Sequence, residues 1–342
     1  MKKPTLEDVA QAAGVSRATV SRVINTPDTV TPELRVRVEQ AIAQLGYQPN
    51  LVARSLASRR TNILGLIIPC VAQSLFTDPY YPGLIQSIAQ ASNANGQTLS
   101  LFLFHTREEE EQVYRRAIGS GLVDGLIVTA EEIDNPYFLE IVEREIPFVY
   151  IGRPHTHIEH INYVNVDNVG GAYIATDHLI NLGYRRIAMI AALMNTTTGL
   201  DRYQGYCDAL ADHAVALEKD LVAVGDFSRE SGYQAMLQLL PAEPDAVFVA
   251  NDSMATGALQ AIREAKLTVP GDIALVSFDD LPPAANANPP LTTVRQPVHR
   301  LGTIAVETLI DVLANGLEPA RHTILPTELV IRASCGAGSR VP

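Results

Sequence analysis

Residues 16 to 22 read "SRATVSR". Three hydroxyls (Ser16, Thr19, Ser21) and two guanidiniums (Arg17, Arg22) stand close together, with small Ala18 between them. A guanidinium can meet the O6 and N7 of a guanine through two parallel hydrogen bonds, and hydroxyls can hold phosphate oxygens. A second set of polar and aromatic groups is dispersed but obeys a rule, since its members come just after apolar runs. Tyr80 and Tyr81 come after "ILGLIIP", Thr129 after "GLIV", Arg153 after "VYIG", Asn251 after "VFVA" and Asp279 after "LVSF". Arg202 opens the helix expected after "AMIAA", and Phe227 follows "AVGD". Amide, carboxylate, guanidinium and aromatic faces in one place suit a polyol, whose hydroxyls want planar polar partners and whose ring face stacks on aromatics.

Both sets need elements to position them. Thr5 can cap a first helix, with Asp8 closing a capping box, and Leu6, Val9, Ala10 and Ala13 give it an apolar stripe. Gly14 ends it. Ser16 caps a second helix whose Val20, Val23 and Ile24 face inward, leaving Arg17, Ala18, Ser21, Arg22 and Asn25 outside. Thr31, with Pro32 at the first helical position, starts a third helix with apolar Val36, Val38, Ala41, Ile42 and Leu45. Two helices joined by a Gly-containing turn, the second bearing arginines outward, describe a helix-turn-helix; a small packing domain with a charged solvated face is the plainer alternative.

Charge separates this head from the rest. The chain has 342 residues and a net charge of -12. Residues 1–60 hold nine Lys/Arg and five acids, giving +4, so the other 282 carry 17 basic and 33 acidic residues, giving -16. Only the head is suited to meet a polyanion. Hydrophobic residues at 47% allow a sizeable core. No apolar run spans a membrane and no apolar stretch follows the first lysines, so a cytoplasmic protein without a membrane role is expected. Cys70, Cys207 and Cys335 are odd in number and far apart, neither a disulfide framework nor a zinc pattern.

From residue 62 the pattern becomes strand–helix alternation. Apolar runs "ILGLIIP", "TLSLFLF", "DGLIVTA" and "PFVYIG" alternate with helical stretches near 81–95, 107–119 and 136–144. A second series starts near 165, with "RIAMIAA", "DAVFVA" and "IALVSFDD" and helices near 169–182, 201–213, 229–240 and 252–266. Such alternation predicts two doubly wound parallel-sheet lobes. Ligands of such sheets bind beyond the carboxyl ends of the strands, so the second residue set belongs in a cleft between the lobes.

The stretch "TLEDVAQAAGVSRATVSRVIN", followed by "LGYQPNLVARSLAS", resembles the DNA-binding headpiece of the LacI/GalR family of bacterial transcription regulators. The body resembles that family's effector core, which is similar to periplasmic sugar-binding proteins. Its markers are "DN" at Asp167-Asn168, "HLINLGYRRIA", "RYQGYCDAL", "VANDSMATGALQAI", "VSFDD" and "PPLTTVRQP". The fold implied is an all-α helix-turn-helix headpiece (1–49), a hinge helix and linker (50–61), and an α/β periplasmic-binding-protein-like core of two lobes (62–342). The chain would cross between lobes near Asn162, Pro290 and Pro326, giving an N-lobe of 62–162 and 291–325 and a C-lobe of 163–290 and 326–342.

The resemblance also implies roles. Arg17 and Ala18 would set operator specificity, Arg22 would add a base contact, and Thr5, Ser16, Thr19, Ser21 and Asn25 would lie at the DNA. Residues 50–58 would fold as a helix only on DNA, because two turns are marginal in water. Asn50 would cap it, Ala53 and Arg54 would face the duplex, and Leu56 would wedge between base pairs at a cost of a few kcal/mol of unstacking. Arg202, Asn251 and Asp279 match effector positions, and Phe227 matches a stacking position. The loop "CVAQSLFTDPYYPG" is longer than in many members, which places Phe76, Asp78, Tyr80 and Tyr81 loosely.

The expected partners are operator DNA, a mono- or oligosaccharide effector and a second copy of the chain. The C-terminus "RASCGAGSRVP" has no heptads, which favours a dimer. The expected function is a repressor released from a pseudo-palindromic operator by a sugar. A corepressor-dependent regulator and a sugar-binding protein without a DNA role are the alternatives.

Catalysis is not expected. No phosphate-cradling glycine motif occurs, and "GVSRA" falls short of a nucleophile elbow. Asp279 is expected to accept hydrogen bonds from a ligand, and Asp280 to be structural. "HTHIEH" places His155, His157 and His160 in an exposed loop rather than a metal site. No cofactor is expected.

Overall fold

The structure is a computed structural model that describes residues 4–47, 60–71, 75, 78–104, 106–119, 121–129, 132–133 and 135–338. The chain divides into two compact units, Met1–Asn62 and Ile63–Pro342.

The first unit holds α1 (Leu6–Ala13), α2 (Arg17–Asn25) and α3 (Pro32–Leu45). The capping box forms, with the Asp8 N–H donating to Thr5 Oγ1 at 3.3 Å and the Thr5 N–H to Asp8 Oδ2 at 2.7 Å. Gly14, at φ 62, turns the chain out of α1. Ser16 Oγ accepts from the Thr19 N–H at 3.1 Å and so caps α2. Val9, Ala10, Ala13, Val20, Val23, Val38 and Ala41 form the core. Val36 lies outside it at 52% exposure, and Leu45 is 38% exposed, so the buried stripe of α3 is narrower than its apolar positions suggest.

The second unit contains two six-stranded sheets. Its elements are β1 (Ile63–Val71), α4 (Tyr80–Ala94), β2 (Thr98–Phe104), α5 (Arg107–Gly119), β3 (Gly125–Thr129), α6 (Pro136–Glu143), β4 (Phe148–Ile151), β5 (Tyr163–Val166), α7 (Asn168–Asn181), β6 (Ile187–Ala191), α8 (Thr197–Asp212), β7 (Val222–Val224), α9 (Arg229–Leu239), β8 (Ala246–Val249), α10 (Asp252–Glu264), β9 (Ala274–Asp279), α11 (Pro282–Asn286), β10 (Thr292–Arg295), α12 (Val298–Asn315), β11 (His322–Leu325) and β12 (Glu328–Val330). The first sheet has the order β11-β5-β4-β3-β1-β2, and the second β12-β10-β9-β8-β6-β7. All pairs are parallel except β10 with β12. The central strands β3, β4, β6 and β8 are buried along their whole length, which is why they read as unbroken apolar runs.

The first two crossings lie a few residues past the neighbourhoods of Asn162 and Pro290, and the third lies at Pro326 as expected. β5 stays in the first sheet, so the chain leaves that lobe after Val166 rather than at Asn162. β10 stays in the second sheet, so the return comes after Arg295 rather than at Pro290. In both cases a short strand beside the crossing adds backbone hydrogen bonds to the sheet it leaves. The third crossing lies between Leu325 and Glu328. α12 packs on α4 and on β3, β4 and β5, so it belongs to the first lobe.

Candidate ligand cleft and nucleic-acid face

A cavity of about 330 Å³ opens between the two sheets. Tyr80, Tyr81, Arg202, Phe227, Asn251 and Asp279 line it. They are six residues from five places in the chain, and four of the six stand at the start of a helix or the end of a strand.

Arg202 is the centre of the site. It is 3% exposed, and the Phe278 ring lies 3.7 Å from its guanidinium carbon. Its Nε donates to Asn168 Oδ1 at 2.9 Å, and Nη1 donates to the Ala250 carbonyl at 2.5 Å and to Asp279 Oδ1 at 3.4 Å. No protein acceptor among the described residues meets Nη2, whose two donors are left for a ligand. Arg202 does not open its helix. α8 begins at Thr197, capped by Thr196 Oγ1, so Arg202 sits in the second turn and is buried by it.

Asp279 ends β9 with φ 114, followed by Asp280 at φ 56. Two successive non-glycine residues in this region mark a strained turn held by its surroundings. The two carboxylates diverge. Asp279 receives Arg202 and the Gln296 amide at 2.6 Å. Asp280 receives Arg295 at 2.7 Å and Arg332 at 2.6 Å, which ties β9 to β10 and the C-terminal segment. Burial pushes the Asp279 carboxyl well above its usual range, opposed by the charge of Arg202. Behind it, Asp252 is fully buried and accepts from Ser277 Oγ at 2.5 Å, the Leu281 N–H at 2.7 Å and Thr293 Oγ1 at 2.8 Å. Burial pushes this carboxyl up to about 6.

Asn251 lines the cavity, yet its own polar atoms are engaged. Its Oδ1 accepts from the Met254 N–H at 2.8 Å and its Nδ2 donates to the Phe227 carbonyl at 3.0 Å. It caps α10 and holds the Phe227 turn, where φ is 70, so that the ring faces the cleft. Tyr80 and Tyr81 start α4, with Asp78 Oδ1 accepting from the Tyr80 N–H at 3.0 Å, and their rings meet edge to face at 5.4 Å.

Two expected residues do not reach the cavity. Thr129 is the last paired residue of β3, opposite Ile151, rather than the first residue beyond the strand, and it is buried with no partner for its Oγ1 among the described residues. Arg153 is turned away at Gly152, where φ is 127, and Gly152 lines the cleft instead. Its guanidinium crosses between the lobes to Asp201 on α8, with Nη2 at 2.5 Å from Oδ1 and Nε at 3.1 Å from Oδ2. Thr197 Oγ1 donates to the Arg153 carbonyl at 2.6 Å, and the Ile133 N–H donates to the Asn195 carbonyl at 2.7 Å.

Asp78, placed loosely from the sequence, also lines the cavity, Phe76 lies outside the described residues, and the structure adds Glu132, Asn165, Asn168, Asp226 and Gln296. Asn168 follows β5 and Gln296 follows β10, so the strand-end rule would have found both had those short strands been recognised. Asp226 stands just after β7 and directly before Phe227, so the rule that gave Phe227 reaches it too, while Glu132 lies three residues beyond the end of β3.

In the first unit, Arg17, Ala18 and Arg22 are exposed on α2, with Thr19 and Ser21 partly exposed beside them. Arg17 lies 3.7 Å from Glu7, and both side chains stay open to solvent. Thr5 and Ser16 are engaged in caps, which leaves them on the surface but not idle. The Asn25 side chain and the whole of Asn50, Ala53, Arg54 and Leu56 lie outside the described residues.

Residues 5–50 match the lacI family of bacterial regulatory proteins, and residues 176–335 match the periplasmic binding protein-like domain. The transcriptional regulator CelR of Thermobifida fusca is 40% identical over 337 residues, which is 97% of this chain and 98% of that protein. The chain belongs to the LacI family. The repressor PurR of Proteus mirabilis is 35% identical over 98% of this chain and 97% of its own length. A solved complex of CelR with cellobiose superposes with a TM-score of 0.78 at 38% identity, covering 97% of this chain and 99% of that one. The lac repressor dimer bound to operator and the anti-inducer ONPF gives 0.84 at 29% identity over 98% and 99%. This LacI-family chain is therefore a DNA-binding transcriptional regulator and not an enzyme. Among the described residues no helix is long and apolar enough to cross a membrane, and no three His, Cys, Asp or Glu side chains gather as a metal site.

Proposed function

We propose that the chain is a cytoplasmic homodimeric repressor whose operator affinity falls when a gluco-oligosaccharide of the cellobiose type fills the cleft. The observation that carries this reading is Arg202, which is buried, backed by Phe278 and left with two free donors facing a cavity with aromatic walls. Such a group binds vicinal hydroxyls, while Phe227, Tyr80 and Tyr81 supply faces and edges for the sugar ring. Asp279 accepts from a hydroxyl, and Asn251 acts by holding the Phe227 turn. The likeness to CelR along the whole chain supports the choice of sugar.

Residues 1–49 are the head, 50–61 the hinge and 62–342 the core. Two heads take the two half-sites of a pseudo-palindrome through α2, with Arg17, Ala18 and Arg22 at the base edges. Residues 50–58 fold on the duplex with Leu56 as the wedge. A sugar regulates only through unequal affinity for the DNA-competent and DNA-released arrangements of the core.

The test uses the full chain on an operator selected from random duplexes. Cellobiose is expected to release the wild type. Arg202→Ala is expected to keep operator binding and lose the release, with circular dichroism and the retained operator affinity reporting that it is folded. Normal release of Arg202→Ala by cellobiose would remove this residue from the site.

A further inference from the structure

Arg202 and Asp279 face the cavity from the second lobe, one on α8 and the other at the end of β9. Each is hydrogen-bonded to a residue that stands at a crossing between the lobes. Arg202 Nε donates at 2.9 Å to Oδ1 of Asn168, the first residue of α7 after the first crossing. Asp279 Oδ1 accepts at 2.6 Å from Nε2 of Gln296, which follows β10 at the second crossing. The Gln296 N–H also donates to the Asp279 carbonyl at 3.3 Å, so main chain and side chain both hold this contact.

Both crossing residues are bonded onward into the first lobe. Asn168 Nδ2 donates to Asn165 Oδ1 at 3.2 Å and to the Val166 carbonyl at 3.3 Å, both on β5 of the first sheet. The Gln296 carbonyl accepts at 2.9 Å from the N–H of Val298, the first residue of α12, which packs on α4. Two relays result, Arg202–Asn168–Asn165 and Asp279–Gln296–Val298, each through its own crossing. The Asn168 amide has one possible sense, because a guanidinium offers only donors and must meet its oxygen, which turns its NH2 group to β5. Asn168 and Gln296 are 4% and 7% exposed, so a bond lost from either leaves a buried polar group unpaired. The third crossing is tied to the first instead, with Thr327 Oγ1 donating to the Asp167 carbonyl at 3.4 Å and the Asp167 N–H to the Leu325 carbonyl at 2.9 Å.

A hydroxyl that draws on Arg202 or Asp279 therefore pulls on a crossing as well as on the wall. We propose that Asn168 and Gln296 are positioning residues: they pass occupancy of the Arg202–Asp279 pair to the first two crossings, and the ligand sets the arrangement of the lobes through these two amides. The proposal rests on the reading of the cleft as the site of a regulatory sugar.

The test measures the operator Kd of the full chain with and without saturating cellobiose, and the ratio of the two is the coupling between the sites. Calorimetry gives the cellobiose Kd separately. The wild-type ratio is expected at about 5–150, and Asn168→Ala and Gln296→Met should each lower it at least about threefold. A residue that only touches the sugar raises the cellobiose Kd and leaves the ratio at saturation unchanged. A residue that only stabilises the fold lowers Tm and also leaves the ratio unchanged. Thr327→Val, which cuts the tie of the third crossing without touching the ligand pair, should stay within about twofold of the wild-type ratio. Retained operator binding reports that the variants are folded. Should Asn168→Ala fail to fold, Asn168→Asp keeps an acceptor for Arg202, loses the donor to Asn165 and gives the same test. Unchanged ratios in the Asn168 and Gln296 variants, or an equal fall in Thr327→Val, overturn the proposal and leave the sugar reading standing. A wild type that cellobiose neither binds nor releases overturns the sugar reading and the proposal with it.

Discussion

Replacing Arg153 tests a strong ionic contact between the lobes. Its guanidinium meets both oxygens of Asp201, at 2.5 and 3.1 Å. The Asp201 side chain is 10% exposed and that of Arg153 is 32% exposed. Breaking a fully buried pair from one side costs about 3–5 kcal/mol, because the partner is left as an unpaired buried charge. A guanidinium one-third open to water is partly screened, so about 2 kcal/mol is the appropriate figure for Arg153→Ala. Asp201→Asn should cost about 1 kcal/mol, since the orphaned guanidinium reaches water, and the double variant should cost about the same. The cycle then gives a coupling of about 2 kcal/mol. The Thr197 hydroxyl still donates to the carbonyl of residue 153 in the alanine variant, so the perturbation is confined to the ion pair. Because that pair joins the two walls of the cleft, its loss also loosens the arrangement that holds a ligand, and the cellobiose Kd should rise, by at most the roughly 30-fold that 2 kcal/mol allows. Urea denaturation gives the stability cycle, and calorimetry gives the Kd. An Arg153→Ala protein with wild-type affinity and a coupling near zero would refute the claim that the pair fixes the lobe arrangement.

Two further perturbations test the packing around the site. Asp252 has a folded-state value raised to about 6, above its ordinary 3.8, so the folded protein holds this proton more tightly than the unfolded chain. Its contribution is full below the unfolded value and is lost as pH rises through 6; between pH 5 and 8 the loss is about 1.4 kcal/mol, or one decade. Asp252→Asn keeps an acceptor for Leu281 and can donate to the Ser277 and Thr293 hydroxyls, so its urea stability should gain about that amount on the wild type over this range; parallel pH profiles would contradict the assignment. Gly257 on α10 has no room for a side chain, since a Cβ would lie 1.9 Å from the Arg229 carbonyl oxygen and 2.7 Å from the Tyr233 nitrogen of α9. Gly257→Ala should force these helices apart at a cost of about 3 kcal/mol and lower Tm by roughly 6–10 °C; a Tm within 2 °C of wild type would show that α9 and α10 are not locked as described.

Local rules determined a good deal on their own. Thr5, Gly14, Ser16 and Gly46 bound the helices of the head because capping and left-handed turns depend on neighbouring residues only. The alternation of buried apolar runs with helices specified parallel sheets, because a strand covered on both faces must be apolar throughout. The strand-end rule then placed Tyr80, Tyr81, Arg202, Phe227, Asn251 and Asp279 around one cavity.

Tertiary structure decided what distance along the chain conceals. Arg153 and Thr129 obeyed the same strand-end rule and still miss the cavity. One is drawn to Asp201, 48 residues away, and the other is held in the ladder one residue longer than its run suggests. Asn251 sits in the wall but spends its hydrogen bonds on Met254 and Phe227, which a strand-end position cannot reveal. Sequence periodicity determined which elements form and where their ends lie; only the packing of the two lobes decided which of those ends face a ligand.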